Sequence, residues 1–166
     1  MGQVDIKRDV TKTYTSADLA EVDVQCPKLG DTYIDVQGNE FKCVKNTTAS
    51  AYVVGDVVSS TYANAVDTET QAGATAALNL MAGVAMGAIP ASGFGWIQTW
   101  GYNASINTLG HASNVIGASL KAVNSQVYAT FDAAPGTEST YRRHIVSLAA
   151  YTTTSAALKP GLIRCR

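Results

Sequence analysis

The sequence predicts an all-β protein, a small barrel or sandwich of short strands carrying an extended N-terminal arm. Three observations lead there. β-Branched and aromatic residues come in short alternating runs separated by Gly, Pro and Asn. Helical patterns are brief: Ser16–Glu21 offers one capped turn, and the face made by Ala77, Leu78, Met81 and Ala85 is interrupted by Gly83 and Gly87. Charged residues make up 15% of the chain, against about 25% in an average soluble domain. Their place is taken by small residues suited to closely packed strands.

Taken in order, residues 1–30 read as an arm and residues 31–166 as the β-rich domain. Thr32–Val36 and Phe41–Val44 alternate around Gln37-Gly38-Asn39-Glu40, the pattern of a hairpin. Ala51–Val54 and Gly55–Val58 read as two short runs about a turn, and the polar stretch Thr61–Gly73 as a loop. A strand is expected through Met81–Ile89, stopped by Pro90-Ala91-Ser92-Gly93. An aromatic strand follows over residues 94–102, then strands over 104–109, 115–123, 127–131, 144–151 and 161–165. Turns are expected at Gly110-His111 and Ala134-Pro135-Gly136-Thr137.

The aromatic segment lies in a stretch, between Glu69 and Asp132, whose one charged side chain is Lys121. Strand alternation would set Phe94, Trp96, Gln98, Trp100 and Tyr102 on one face and Gly95, Ile97, Thr99 and Gly101 on the other. Such a face can be core, an inter-subunit seam or a stacking platform for sugars. The interleaved glycines admit close approach of another backbone or a flat ring.

Charge is concentrated at the two ends. Residues 1–45 hold more acids than bases, whereas residues 141–166 hold Arg142, Arg143, Lys159, Arg164 and Arg166 with no acid. This basic tail is either a solvated edge or a contact for an acidic surface. The net charge of -1 gives no overall attraction to nucleic acid. Cys26, Cys43 and Cys165 are odd in number and widely spaced, so neither a disulfide framework nor a zinc site is expected. Residues 76–97 are uncharged, but glycines, Asn79, Pro90 and alanines make a membrane span a poor reading.

No catalytic motif assembles. The chain has no G-x-S-x-G elbow and no G-x-x-x-x-G-K-[ST] loop, and Gly93-Phe94-Gly95 lacks the third glycine of a dinucleotide fingerprint. His111 and His144 are far apart and unaccompanied by metal-ligand spacing. An enzyme is not expected, nor is any cofactor or metal.

The run Ala82–Gly101, with Ile89-Pro90-Ala91 and Phe94-Gly95-Trp96-Ile97-Gln98, resembles a segment of tailed-bacteriophage capsid decoration (cement) proteins. Val54-Gly55-Asp56-Val57-Val58 resembles a turn of the same family, and the loose similarity runs from Val54 onward. Residues 1–50 carry no family signal. The resemblance implies a structural virion protein on the capsid exterior, assembled in the host cytoplasm. It would bind across neighbouring major capsid proteins and stiffen the shell as a homo-oligomer, a trimer ahead of a dimer. It implies no catalytic residues. Residues 1–24 are then the candidate arm, and Arg142, Arg143, Arg164 and Arg166 the candidate partner contacts. Phe94, Trp96, Trp100 and Tyr102 build either core or interface. The competing expectation is a tail or head-fibre module that binds host-surface glycans through the aromatic strand.

Overall fold

The computed structural model describes residues 9–15, 28–60, 69–72, 81–123, 126–131 and 144–165, with residues 69–72 and 144 described through their backbone. These residues form ten strands and no helix. The strands are β1 (Thr32–Ile34), β2 (Glu40–Asn46), β3 (Val57–Ser60), β4 (Glu69–Ala72) and β5 (Met81–Ala85). They continue with β6 (Phe94–Leu109), β7 (Ser119–Ala122), β8 (Ala129–Phe131), β9 (His144–Ser147) and β10 (Ala156–Arg164). The protein is all-β, as the short alternating runs predict.

All ten strands join one sheet that closes on itself twice. β2, β4, β3, β5 and β6 form a closed five-stranded barrel, because β2 pairs with β4 on one side and with β6 on the other. From β6 the sheet continues through β10, β9 and β7 to β8, which returns to β6 at Thr108↔Ala129. The pairings β2–β4 and β6–β8 are parallel and every other one is antiparallel. β6 therefore belongs to both circuits.

Burial follows from this arrangement. Val44, Val58, Ala82, Ala85 and Ile97 face inward in the first barrel, joined by Tyr52 and Ile89. Ile106, Leu120, Ala122, Ala129, Ile145 and Ile163 fill the second circuit, and Val57, Met81 and Val84 reach it from β3 and β5. β3 and β5 are thus covered on both faces, so every residue in them is buried. A third cluster holds Tyr14, Phe41, Cys43 and Trp96.

Several expectations change with closure. The hairpin β1–β2 forms, but its turn takes in Asp35 and Val36, expected in the strand; the Asp35 carboxylate holds it by accepting from Gln37 N (2.9 Å), Asn39 N (2.9 Å) and Asn39 Nδ2 (2.8 Å). Residues 51–54 are not a strand, although Tyr52 is buried. The polar loop expected over Thr61–Gly73 contains β4, which exists because it bridges β2 and β3. Strands expected over 94–102 and 104–109 are one continuous β6. β10 begins at Ala156, earlier than expected, because it pairs along β6 from Leu109 to Trp100. Among the described residues no helix is long and apolar enough to cross a membrane.

Part of the candidate arm is built into the domain. Tyr14 bridges Phe94 through N–H···O bonds of 2.8 and 2.7 Å in the two directions, and its ring is buried. Residues 9–15 therefore lie against this chain's own sheet, and the remainder of the arm, residues 1–8 and 16–27, falls outside the described residues.

Gly55 fixes where the circuits meet. Its φ is +91°, and a Cβ there would sit 2.5 Å from Ser105 O and 2.6 Å from Leu158 Cδ2. Gly55→Ala should cost roughly 2–4 kcal/mol through backbone strain plus steric clash. Gly38, with φ +82° and open space around it, should cost only about 1 kcal/mol as Gly38→Ala. Urea denaturation of both variants checks the difference, and equal losses would remove the close-approach explanation.

Candidate functional site

The single-face alternation expected for the aromatic strand does not hold. Phe41 pairs with Gln98, but its neighbour Glu40 pairs with Trp100, so β6 carries an extra residue at this point. Adjacent residues of β2 point to opposite faces, so Trp100 lies on the face opposite Gln98. Gly101, with φ +103°, continues the irregularity, and the space a Cβ would need is filled by the Asn39 side chain. Asn39 Oδ1 also accepts from Tyr102 N at 3.1 Å.

The aromatic residues consequently divide into two groups. Phe94 and Trp96 pack with Tyr14, Phe41 and Cys43, Trp96 being 1% exposed. Trp100 is half-buried and Tyr102 is 53% exposed on the other face. Gln98 stays inside and closes the irregular turn: its Nε2 donates to Trp100 O and Tyr102 O, each at 3.0 Å. Its Oε1 accepts from Asn103 Nδ2 at 2.9 Å, and Asn103 Oδ1 accepts from Ser105 N at 2.7 Å. Burial of these amides is thereby compensated.

Beyond the first barrel, the face that lines its interior emerges as a surface strip on β6 and β10. Tyr102 is paired with Leu162, and Trp100 with Arg164. Directly opposed side chains in an antiparallel pair touch. The Arg164 guanidinium sits over the Trp100 ring, 5.6 Å from its centroid, a contact of about 0.5–1 kcal/mol at an exposed position. Leu162 and Leu158 are 39% and 53% exposed along the same side of β10. Val53 and Val54 are also exposed, beside Gly55, against which Leu158 rests.

The turn at the end of this strip contains a buried acid. Asp56 Oδ2 accepts from Val53 N at 2.9 Å and Oδ1 from Asn107 Nδ2 at 3.2 Å. Backbone bonds extend the junction: Asn107 N to Gly55 O, Gly55 N to Ala85 O, Ala85 N to Asp56 O and Val57 N to Val127 O. Burial pushes the Asp56 carboxyl above its ordinary value, and the Val53 and Asn107 donors offset this only in part.

Of the sequence-predicted contacts, Arg164 is exposed at the end of β10, while Arg142, Arg143 and Arg166 lie outside the described residues. His111 stacks on Phe131 at 5.0 Å and accepts from Ser113 N, and His144 stands in β9. Cys43 and Cys165 are both buried. Among the described residues no group of three His, Cys, Asp or Glu could share a metal ion. Sequence reasoning missed Leu158 and Leu162; the alternation Leu158, Pro160, Leu162, Arg164 was the available signal. It also missed Asp56 as a junction residue, for which Gly55-Asp56 was the cue. The chain matches no protein-family model, no characterised protein and no solved structure.

Asp56 makes a pH prediction. A carboxyl whose folded-state value is raised contributes stability below its unfolded value, near 3.8, and loses it as pH rises through the folded value. The stability of the native protein relative to Asp56→Asn should therefore fall as pH is raised from 3.5 to 7, with pH values chosen at about these limits. Parallel urea titrations measure it; a difference that rises with pH would contradict the assignment.

Proposed function

We propose that this chain is a structural virion protein that binds the outer surface of a tailed-phage capsid across neighbouring major capsid proteins and stabilises the shell. The observation that carries the reading is the strip of Trp100, Tyr102, Leu158 and Leu162, capped by Arg164, on a module whose described strands other than β1 close into two circuits. Exposed aromatic and aliphatic side chains with an arginine at the margin are the composition of a protein-binding surface.

The resemblance to decoration proteins adds the context. Its specific segment, Ala82–Gly101, forms β5, the following loop and the first half of β6, and its Gly55-Asp56 turn is the junction of the two circuits. These are framework residues, so they support a common architecture while the strip supplies the contact. As a homo-oligomer, trimer ahead of dimer, the protein would engage several capsid subunits at once. Each contact after the first is then intramolecular, at an effective concentration in about the millimolar range. Arg142, Arg143, Arg164 and Arg166 are the proposed charged contacts.

A glycan-binding tail or head-fibre module is the second reading, favoured by the outward-facing Tyr102 ring beside half-buried Trp100. Tryptophan fluorescence separates the two, because the glycan reading requires quenching by added sugars. Under the decoration reading, purified particles carry many copies, at a simple ratio to the major capsid protein. Leu162→Glu should lower occupancy at least about tenfold without changing the melting temperature, since it places a charge in an apolar contact. Full occupancy by that variant would eliminate the strip as the attachment surface.

A further inference from the structure

We infer that the outer edge of β1 is a docking site for an extended, basic segment of a partner polypeptide, which adds to the sheet as an antiparallel strand. Both circuits are closed, and β1 is the described strand with a neighbour on one side only, β2. The direction of its backbone groups is fixed by the hairpin. Cys43 N donates to Asp31 O and Asp35 N donates to Asn39 O, so residues 31, 33 and 35 face β2. Thr32 and Ile34 therefore turn their N–H and C=O outward. Thr32 is exposed and Ile34 is 60% exposed. An unpaired row of alternating donors and acceptors is complementary to another extended backbone.

Side chains decide which backbone. Asp31, Tyr33 and Asp35 share one face of β1, an aromatic ring between two acids. Tyr33 is half-buried and stacked on Phe41 at 6.0 Å, which holds it in place. Both carboxylates are also held by local bonds, Asp31 Oδ2 to Lys28 N at 3.0 Å and Asp35 to the Gln37–Asn39 turn. A second copy paired antiparallel about Tyr33 would set each Asp31 against Asp35 of the other, opposing like charges at both ends. A strand bearing Lys or Arg four residues apart, with an apolar residue midway, places cations against both acids. In that register the edge disfavours its own copy, whereas a basic strand meets both acids favourably. The assignment stands apart from the capsid reading, because it follows from the unpaired backbone and its acidic flanks.

The test uses the whole protein and three short peptides with blocked ends, Lys-Thr-Val-Thr-Lys, Glu-Thr-Val-Thr-Glu, and the lysine peptide N-methylated at both threonines. Amide hydrogen exchange is followed at Thr32, Tyr33 and Ile34. The lysine peptide should slow exchange at Thr32 and Ile34 and leave Tyr33, already bonded to β2, unchanged. N-methylation should weaken binding by about tenfold or more, as expected for losing two backbone hydrogen bonds, and the glutamate peptide should bind more weakly still. Equal binding of the methylated peptide, or no protection of Thr32 and Ile34, would overturn the strand-addition site. Equal binding of the glutamate peptide would overturn its basic selectivity. Protection of the same two amides that grows with protein concentration, without peptide, would assign the edge to a second copy and overturn the proposal.

Discussion

One strand has to serve two interiors that lie on its opposite faces, and the rest of the fold follows from how β6 does so. Its first half turns Ile97 into the first barrel, and its second half turns Ile106 into the other circuit. A regular strand with these pairings would present one set of alternate residues throughout. The extra residue near Thr99, and a second shift opposite Lys159 and Gly161, adjust the register where the partners change from β2 and β5 to β10. Gly101 permits the backbone conformation this requires, and Gln98 bonds the carbonyls it displaces. The surface strip is a consequence: residues on the face that lines one barrel become solvent-facing once that barrel ends.

Holding two circuits at fixed positions around one strand also needs connections across the sheet. The Gly55-Asp56 turn supplies backbone bonds to β5 and to β6, and the adjacent Val57 one to the segment before β8. A carboxylate at such a place is costly to bury, and its raised pKa records that cost. The neighbouring loops use uncharged amides for the same purpose. Asn46 donates through Nδ2 to Ser50 O at 2.8 Å and Pro90 O at 3.1 Å while Oδ1 accepts from Thr48, tying β2 to the loop before β6. Asn46 and Asn103 both lie in Asn-x-Ser/Thr sequences, but each side chain is buried and engaged, a structural use of the asparagine.

Framework and proposed contact surfaces occupy separate parts of the molecule. Low charge in the middle of the chain reflects β3 and β5 buried on both faces, while the strip on β6 and β10 and the acidic edge of β1 are chemically distinct surfaces. An apolar, arginine-capped strip and an edge that accepts a basic strand would recognise different features of a partner. If both surfaces serve as proposed, two unlike attachment points on one small module would suit a role in which each contact is modest and their combination is strong.

Local chemistry determined the all-β class, the β1–β2 hairpin and most strand positions, because alternation and turn residues are encoded within a few neighbouring positions. It also marked Phe94–Tyr102 as a strand whose aromatic side chains would be important. Tertiary structure alone decided that Trp96 and Trp100 point to opposite faces, because that depends on a register slip against Glu40 and Phe41, far away in the chain. The same holds for β4, whose polar residues become a strand only by bridging β2 and β3, and for Tyr14, whose burial depends on meeting Phe94. Short-range periodicity fixes which residues can be extended. Which face is inside, and which edge stays open, is set by pairings between distant segments when the sheet closes.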